Sequence, residues 1–114
     1  MASPVDVVER QLRCYNRRQL DAFCDCFADD AQIFELGSPA PTHAGKVAIR
    51  ERYRNLFELS PQLNCQLVNR TAVGRVVVDH EHVTGRLGSP DVFEILAIYE
   101  VEGGLIRRVH FARA

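Results

Sequence analysis

Glycine turns divide the second half of the chain into four apolar-rich runs, and this feature constrains the fold more than any other. Gly74-Arg75, Gly88-Ser89-Pro90 and Gly103-Gly104 separate runs at 63–73, 75–85, 92–102 and 105–113. The runs carry many β-branched and aromatic residues, and connections this short join antiparallel neighbours. The spacing predicts an antiparallel meander.

The first half reads as helical. Ser3 can cap a helix over 4–16, with Pro4 in its first turn. Val5, Val8, Leu12 and Tyr15 recur on one face of it. After Asn16-Arg17-Arg18, the spacing of Leu20, Phe23, Cys24 and Phe27 predicts a second helix ending near Asp29-Asp30, hairpinned onto the first. Ala31 to Leu36 reads as a short strand with Ile33 and Glu35 on one face. The turn-rich segment GSPAPTHAG is a loop. A third helix over 46–58 presents Ile49, Tyr53, Leu56 and Phe57, and Ser60-Pro61 stops it. Helices first and strands later predict one α+β domain over 1–114, with helices packed on one face of a sheet.

Bulk properties narrow the function classes. A chain of 114 residues that is 46% hydrophobic can build a core without staples. A net charge of −1 gives no bulk attraction to nucleic acid or membrane. Arg50, Arg52 and Arg54 are interrupted by Glu51 and Glu58, so they read as a solvated helix face. No secretory leader or membrane-length apolar stretch is visible, which makes a cytoplasmic protein with reduced thiols the expectation. Of the four cysteines, Cys24-x-Cys26 has neither redox nor zinc spacing and reads as packing. No phosphate-cradling glycine motif occurs, so no organic cofactor is expected.

Val76-Val77-Val78 runs into Asp79-His80-Glu81-His82, which is unusual for a strand that starts so apolar. A two-residue turn at Gly74-Arg75 sets the register: Val73 faces Val76, Arg70 faces Asp79, Asn69 faces His80 and Leu67 faces His82. One face then carries Cys65, Leu67, Asn69, His80 and His82, and the other carries Arg70, Asp79 and Glu81, with Arg70 placed to pair with both acids. Either set can point inward. His80-x-His82 puts two imidazoles on one face, but no third ligand is evident, so no metal is assigned. His43 and His110 read as surface or interface residues.

Across nearly the whole chain, the order of motifs resembles the nuclear transport factor 2-like superfamily, which includes ketosteroid isomerase and SnoaL-like polyketide cyclases. The resemblance runs through N-x-x-x-L-D-A-F from Asn16, F-A-D-D-A from Phe27, G-K-x-A-I-R-E-x-Y from Gly45, and the closing Gly-Gly-x-Ile. It implies a cone, with a curved, mostly antiparallel sheet wrapped around three N-terminal helices and enclosing an apolar pocket. It also implies a homodimer paired through the outer sheet face, which would explain the unbroken Val76-Val77-Val78.

Carried over residue by residue, the isomerase base position falls on Glu35. Its two oxyanion donors fall on Gln11 and Ala97, so steroid isomerisation is not expected. The resemblance puts Tyr53, Phe27 and Tyr99 at the pocket. Gln11, Tyr15, Ile33, Phe57, Asn69, His82, Ala97 and Phe111 complete the expected lining. The group Arg70, Asp79, Glu81 is similar in kind to the carboxylate–Arg–carboxylate set of the limonene epoxide hydrolase branch.

The expected function is therefore binding of a small hydrophobic metabolite. Isomerase, cyclase or hydrolase chemistry would use Glu35 as acid/base, with Asp79, His80, Glu81 and Arg70 as the further candidates. The alternative is a non-enzymatic ligand-binding or protein-interaction homodimer.

Overall fold

The computed structural model describes residues 2–114. Helix α1 spans Pro4–Asn16. Its capping box is complete: Asp6 N donates to Ser3 Oγ at 3.2 Å and Ser3 N donates to the Asp6 carboxylate at 3.3 Å. The buried face of α1 is Val7, Val8, Gln11, Leu12 and Cys14, so the core side is rotated toward Val7 and away from Val5.

Helix α2 is only Leu20–Cys24, and strand β1 already runs over Phe27–Glu35. The sequence expectation of a helix reaching Asp29-Asp30 is therefore corrected. Phe23 and Phe27 do pack together, with ring centroids 5.2 Å apart, but Phe27 does so from a strand paired with Ile106. Cys26 lies beyond α2, and all four cysteines are buried and free. The expected loop contains a two-residue strand β2, His43–Ala44, paired to β1. Helix α3 covers Lys46–Leu59.

The meander forms as its turns predict: β3 Asn64–Val73, β4 Val76–Thr84, β5 Phe93–Glu102 and β6 Leu105–Arg113, with a short 3-10 turn at Arg86–Gly88 between β4 and β5. The six-stranded sheet has the order β2-β1-β6-β5-β4-β3. All neighbours are antiparallel except β1 and β6, which are parallel. Irregularities in β1, β3 and the β5–β6 pair bend the sheet, and the helices lie on its concave face. This is the α+β cone architecture.

Gly85 fixes the exit from β4. Its φ is +72°, and an added Cβ would stand 2.2 Å from the Gln62 carbonyl oxygen, so the chain crosses there only as glycine.

Register decides which face looks inward. Val73, Arg70 and Asn69 pair with Val76, Asp79 and His80 as the turn predicts. Val68 then bulges, and Leu67 faces Glu81 rather than His82. This one-residue slip moves Cys65 and Leu67 to the concave side with Arg70, Asp79, Glu81 and Val83, because strand side chains alternate. Val77, Asp79, Glu81 and Val83 are buried, and His80 and His82 lie on the convex face.

Candidate functional site

The cone encloses a cavity of about 310 Å³ between α1, α3, the Arg86–Gly88 turn and the concave face of β3–β6. Its walls are largely apolar: Leu12, Leu56, Leu59, Val83, Ile95 and Phe111. Gln11, Tyr15, Tyr53, Tyr99, Cys65 and Glu81 add polar atoms. Arg52, Arg86 and Arg113 complete the lining.

Glu81 is the cavity's acid. It sits on β4, is 5% exposed, and has Leu67 and Ile95 as its strand neighbours. Burial pushes its carboxyl up to about 7, and the charge of Asp79 pushes the same way; the Cys65 thiol and Arg70 oppose them. Burial also raises the Cys65 thiol and the Tyr15, Tyr53 and Tyr99 phenols, with Glu81 adding to each rise. The site therefore holds one carboxyl that titrates near neutrality among neutral O–H and S–H groups.

Asp79 has a different environment. It is 0% exposed, and Arg70 grips it with two parallel bonds: Nε to Oδ1 at 2.7 Å and Nη2 to Oδ2 at 2.9 Å. The third arm of Arg70, Nη1, donates to Glu9 of α1 at 2.8 Å. The expected pairing of Arg70 with both Asp79 and Glu81 is thus corrected: the helix supplies the second acid. All three guanidinium nitrogens of Arg70 are engaged by Asp79 and Glu9, and burial is the largest influence on Glu81. Neither Arg70 nor Asp79 lines the cavity. They form a structural clamp between α1 and the sheet.

Glu35 ends β1 at the rim. Its side chain is 46% exposed and accepts from Arg113 Nε at 2.9 Å. The expectation of a Glu35 carboxyl enclosed in an apolar pocket is not met, because the strand runs out of the core after Ile33.

Among the expected lining residues, Gln11, Tyr15, Tyr53, Tyr99 and Phe111 face the cavity. Phe27, Ile33, Phe57 and Ala97 are buried in the core around it instead. Phe57 joins Tyr15, Phe23 and Tyr53 in an aromatic cluster, in which Phe23 and Tyr53 have centroids 4.5 Å apart. Asn69, His80 and His82 are corrected outright. The inward face of β4 carries its odd-numbered residues, so His80, His82 and Asn69, the partner of His80, point away from the cone.

Sequence reasoning missed the rim arginines. The expected solvated face does not hold for Arg52. This side chain lies over Tyr53 and Phe111, at 5.3 and 5.5 Å from their centroids, and meets His43 Nδ1 at 3.4 Å. Its neighbours Arg50 and Arg54 do pair on the surface, with Asp21 and with Glu51 and Glu58. The signal for Arg52 was its spacing: Arg52, Leu56 and Leu59 stand at i, i+4, i+7 and line the cavity together. Arg86 rides over the Phe93 ring at 5.6 Å.

The comparisons with known proteins agree with this architecture. A family model described as the SnoaL-like domain matches residues 8–109. An uncharacterised cystatin-fold protein from Novosphingobium aromaticivorans superposes with a TM-score of 0.90 at 27% identity, covering 99% of this chain and 100% of that one. A proposed polyketide cyclase from Sinorhizobium meliloti gives 0.76 at 23% identity, covering 94% of each chain. A proposed ketosteroid isomerase from Kribbella flavida gives 0.78 at 18% identity, covering 95% of this chain and 75% of that one. No curated protein sequence matches significantly.

Proposed function

Since the chain belongs to the SnoaL-like domain family, we propose that it binds a small hydrophobic, carbonyl-bearing metabolite in the cone and that Glu81 moves protons on it. One observation carries this reading: a carboxyl that is 5% exposed lines an apolar cavity and is held near neutrality, at about 7. An acid/base works best when its own value lies near the working pH, since both protonation states are then populated.

The chemistry that fits is enolisation. The Glu81 carboxylate takes a proton from the carbon beside the carbonyl. The C–H electron pair becomes a C=C bond, and the carbonyl π pair moves onto oxygen. A phenol among Tyr15, Tyr53 and Tyr99 donates a hydrogen bond to that developing oxyanion. Protonated Glu81 then returns the proton to a carbon of the enolate, which gives an isomer, or the enolate carbon bonds to a second carbonyl carbon, whose π pair moves onto its oxygen and takes the proton from Glu81, which closes a ring. The oxyanion donors thus come from this chain's own tyrosines, since Gln11 and Ala97 stand where the isomerase resemblance places its donors.

The rim charge selects the ligand's outward end. Among the described residues, Arg113 is the rim arginine that is ion-paired. Arg52 and Arg86 rest on aromatic faces, where an oxygen-bearing or anionic substituent can reach them.

A homodimer through the convex face is part of the proposal. Val76, Val78, Leu96, Ile98, Phe34 and Ala112 are only partly covered there. This apolar stripe also supports the second reading, an interaction protein without chemistry.

The test is solvent-deuterium exchange followed by proton NMR on a panel of cyclic ketones and 1,3-dicarbonyls. The wild-type chain is expected to wash out α-protons of at least one class, and Glu81→Gln to abolish the effect. Binding without exchange would replace the enzymatic reading with the ligand-binding one, and exchange that survives the substitution would take the catalytic role away from Glu81.

A further inference from the structure

The convex face of the sheet holds a cluster that the proposed function does not use. His80 and His82 point outward from β4 two residues apart, and Glu94 on β5 pairs directly with His82. The strand period and the cross-strand register therefore deliver two imidazoles and a carboxylate to one patch. His80 Nε2 lies 2.7 Å from Glu94 Oε2 and His82 Nε2 lies 3.5 Å from the same oxygen. The two rings stand edge to face with centroids 5.5 Å apart. One ligand atom from each residue falls within 4.8 Å of the other two.

We propose that His80, His82 and Glu94 form a binding site for a divalent transition-metal ion of the zinc type. In a tetrahedral zinc site the bonds run about 2.0–2.2 Å, so neighbouring ligand atoms stand roughly 3.3–3.4 Å apart. The His82–Glu94 separation of 3.5 Å already fits. The His80–Glu94 hydrogen bond at 2.7 Å opens by about 0.6 Å as the metal replaces its proton.

The set of two imidazoles and one carboxylate suits zinc, nickel or copper and is a poor match for magnesium or calcium, which take oxygen ligands. Three protein ligands leave a fourth position open to water or to a group from another molecule. Among the described residues the ion-pair partners of Glu94 are His80 and His82, so no lysine or arginine occupies the oxygen a metal would take. In the single chain all three side chains are partly open to solvent, which gives the ion a path in before any pairing through this face. They also stand on adjacent paired strands, so little ordering accompanies binding.

This site does not depend on the cavity or on Glu81. It supplies the third ligand that the sequence alone did not show, because Glu94 reaches His80 and His82 only through the β4–β5 register.

The experiment is calorimetric titration of the untagged chain with zinc chloride, with magnesium chloride as the control, and a parallel cobalt titration read by absorption. The expected result is saturable zinc binding at one ion per chain, no magnesium binding, and a cobalt spectrum without a thiolate band. His82→Gln and Glu94→Gln should each weaken zinc binding about tenfold or more while leaving the circular dichroism unchanged. No saturable zinc binding, an affinity that stays within about twofold in both variants, or a thiolate band placing the metal on the buried cysteines would overturn the proposal.

Discussion

Replacing Glu81 by glutamine separates a buried, perturbed acid from an ordinary one. The usual value of 4.5 rises to about 7 in the fold, with burial as the main cause. At about 1.4 kcal/mol per pH unit, keeping this carboxyl ionised in the folded chain costs about 3 kcal/mol. The sign follows from proton counts. Between about pH 4.5 and 7 the folded chain holds a proton that the unfolded chain has released. The stability tied to this group is complete below about 4.5 and is lost as the pH climbs through about 7. Glutamine keeps the shape and cannot ionise, so the variant escapes this loss. The assay is urea unfolding of both proteins at pH 4.5 and pH 8, read as the difference between them, because their other titrating groups then cancel. Glu81→Gln should gain about 3 kcal/mol on the wild type across that interval. Curves that stay parallel to within about 0.5 kcal/mol would refute the reasoning.

Three further substitutions probe the scaffold and the rim. Arg70→Met leaves the fully buried Asp79 without its cation and should cost about 3–5 kcal/mol in urea unfolding, whereas an unchanged midpoint would mean the clamp is not real. Gly85→Ala forces a side chain into a left-handed position 2.2 Å from the Gln62 carbonyl, and its loss of more than about 2 kcal/mol should appear in the thermal melt. Glu35→Ala removes a half-exposed rim pair, so stability should fall by no more than about 1 kcal/mol and deuterium exchange should stay near wild type. A collapse of exchange in that variant would return the catalytic role to Glu35.

What the sequence made legible follows local chemistry. The capping residue Ser3, the apolar spacing of α3 and the glycine turns of the meander each act within a few residues of themselves, and those elements stand as expected. The misread parts depend on distant partners. Phe27 satisfies a helical repeat with Phe23, but its place in β1 is set by Ile106, far along the chain. The inward Asp79 of β4 is held by distant partners, Arg70 of β3 and, through it, Glu9 of α1. The Val68 bulge, which brings Cys65 beside Glu81, leaves no mark in the alternation until the strands are paired. Glu81 was among the candidates from its position in Asp-His-Glu-His. What separates it from Asp79 is a three-residue arrangement, Asp79–Arg70–Glu9, that joins β4, β3 and α1 and that no local pattern encodes.

The proposed proton transfer turns on the state of one carboxyl, and the most direct measurement is a carbon-13 NMR titration of the Glu81 side chain, assigned by its loss in Glu81→Gln. The structure predicts a midpoint of about 7, well above the 4.5 usual for a glutamate. A midpoint near the ordinary 4.5 would mean that the carboxyl is solvated or paired, and the proposed proton transfer would lose its donor and acceptor.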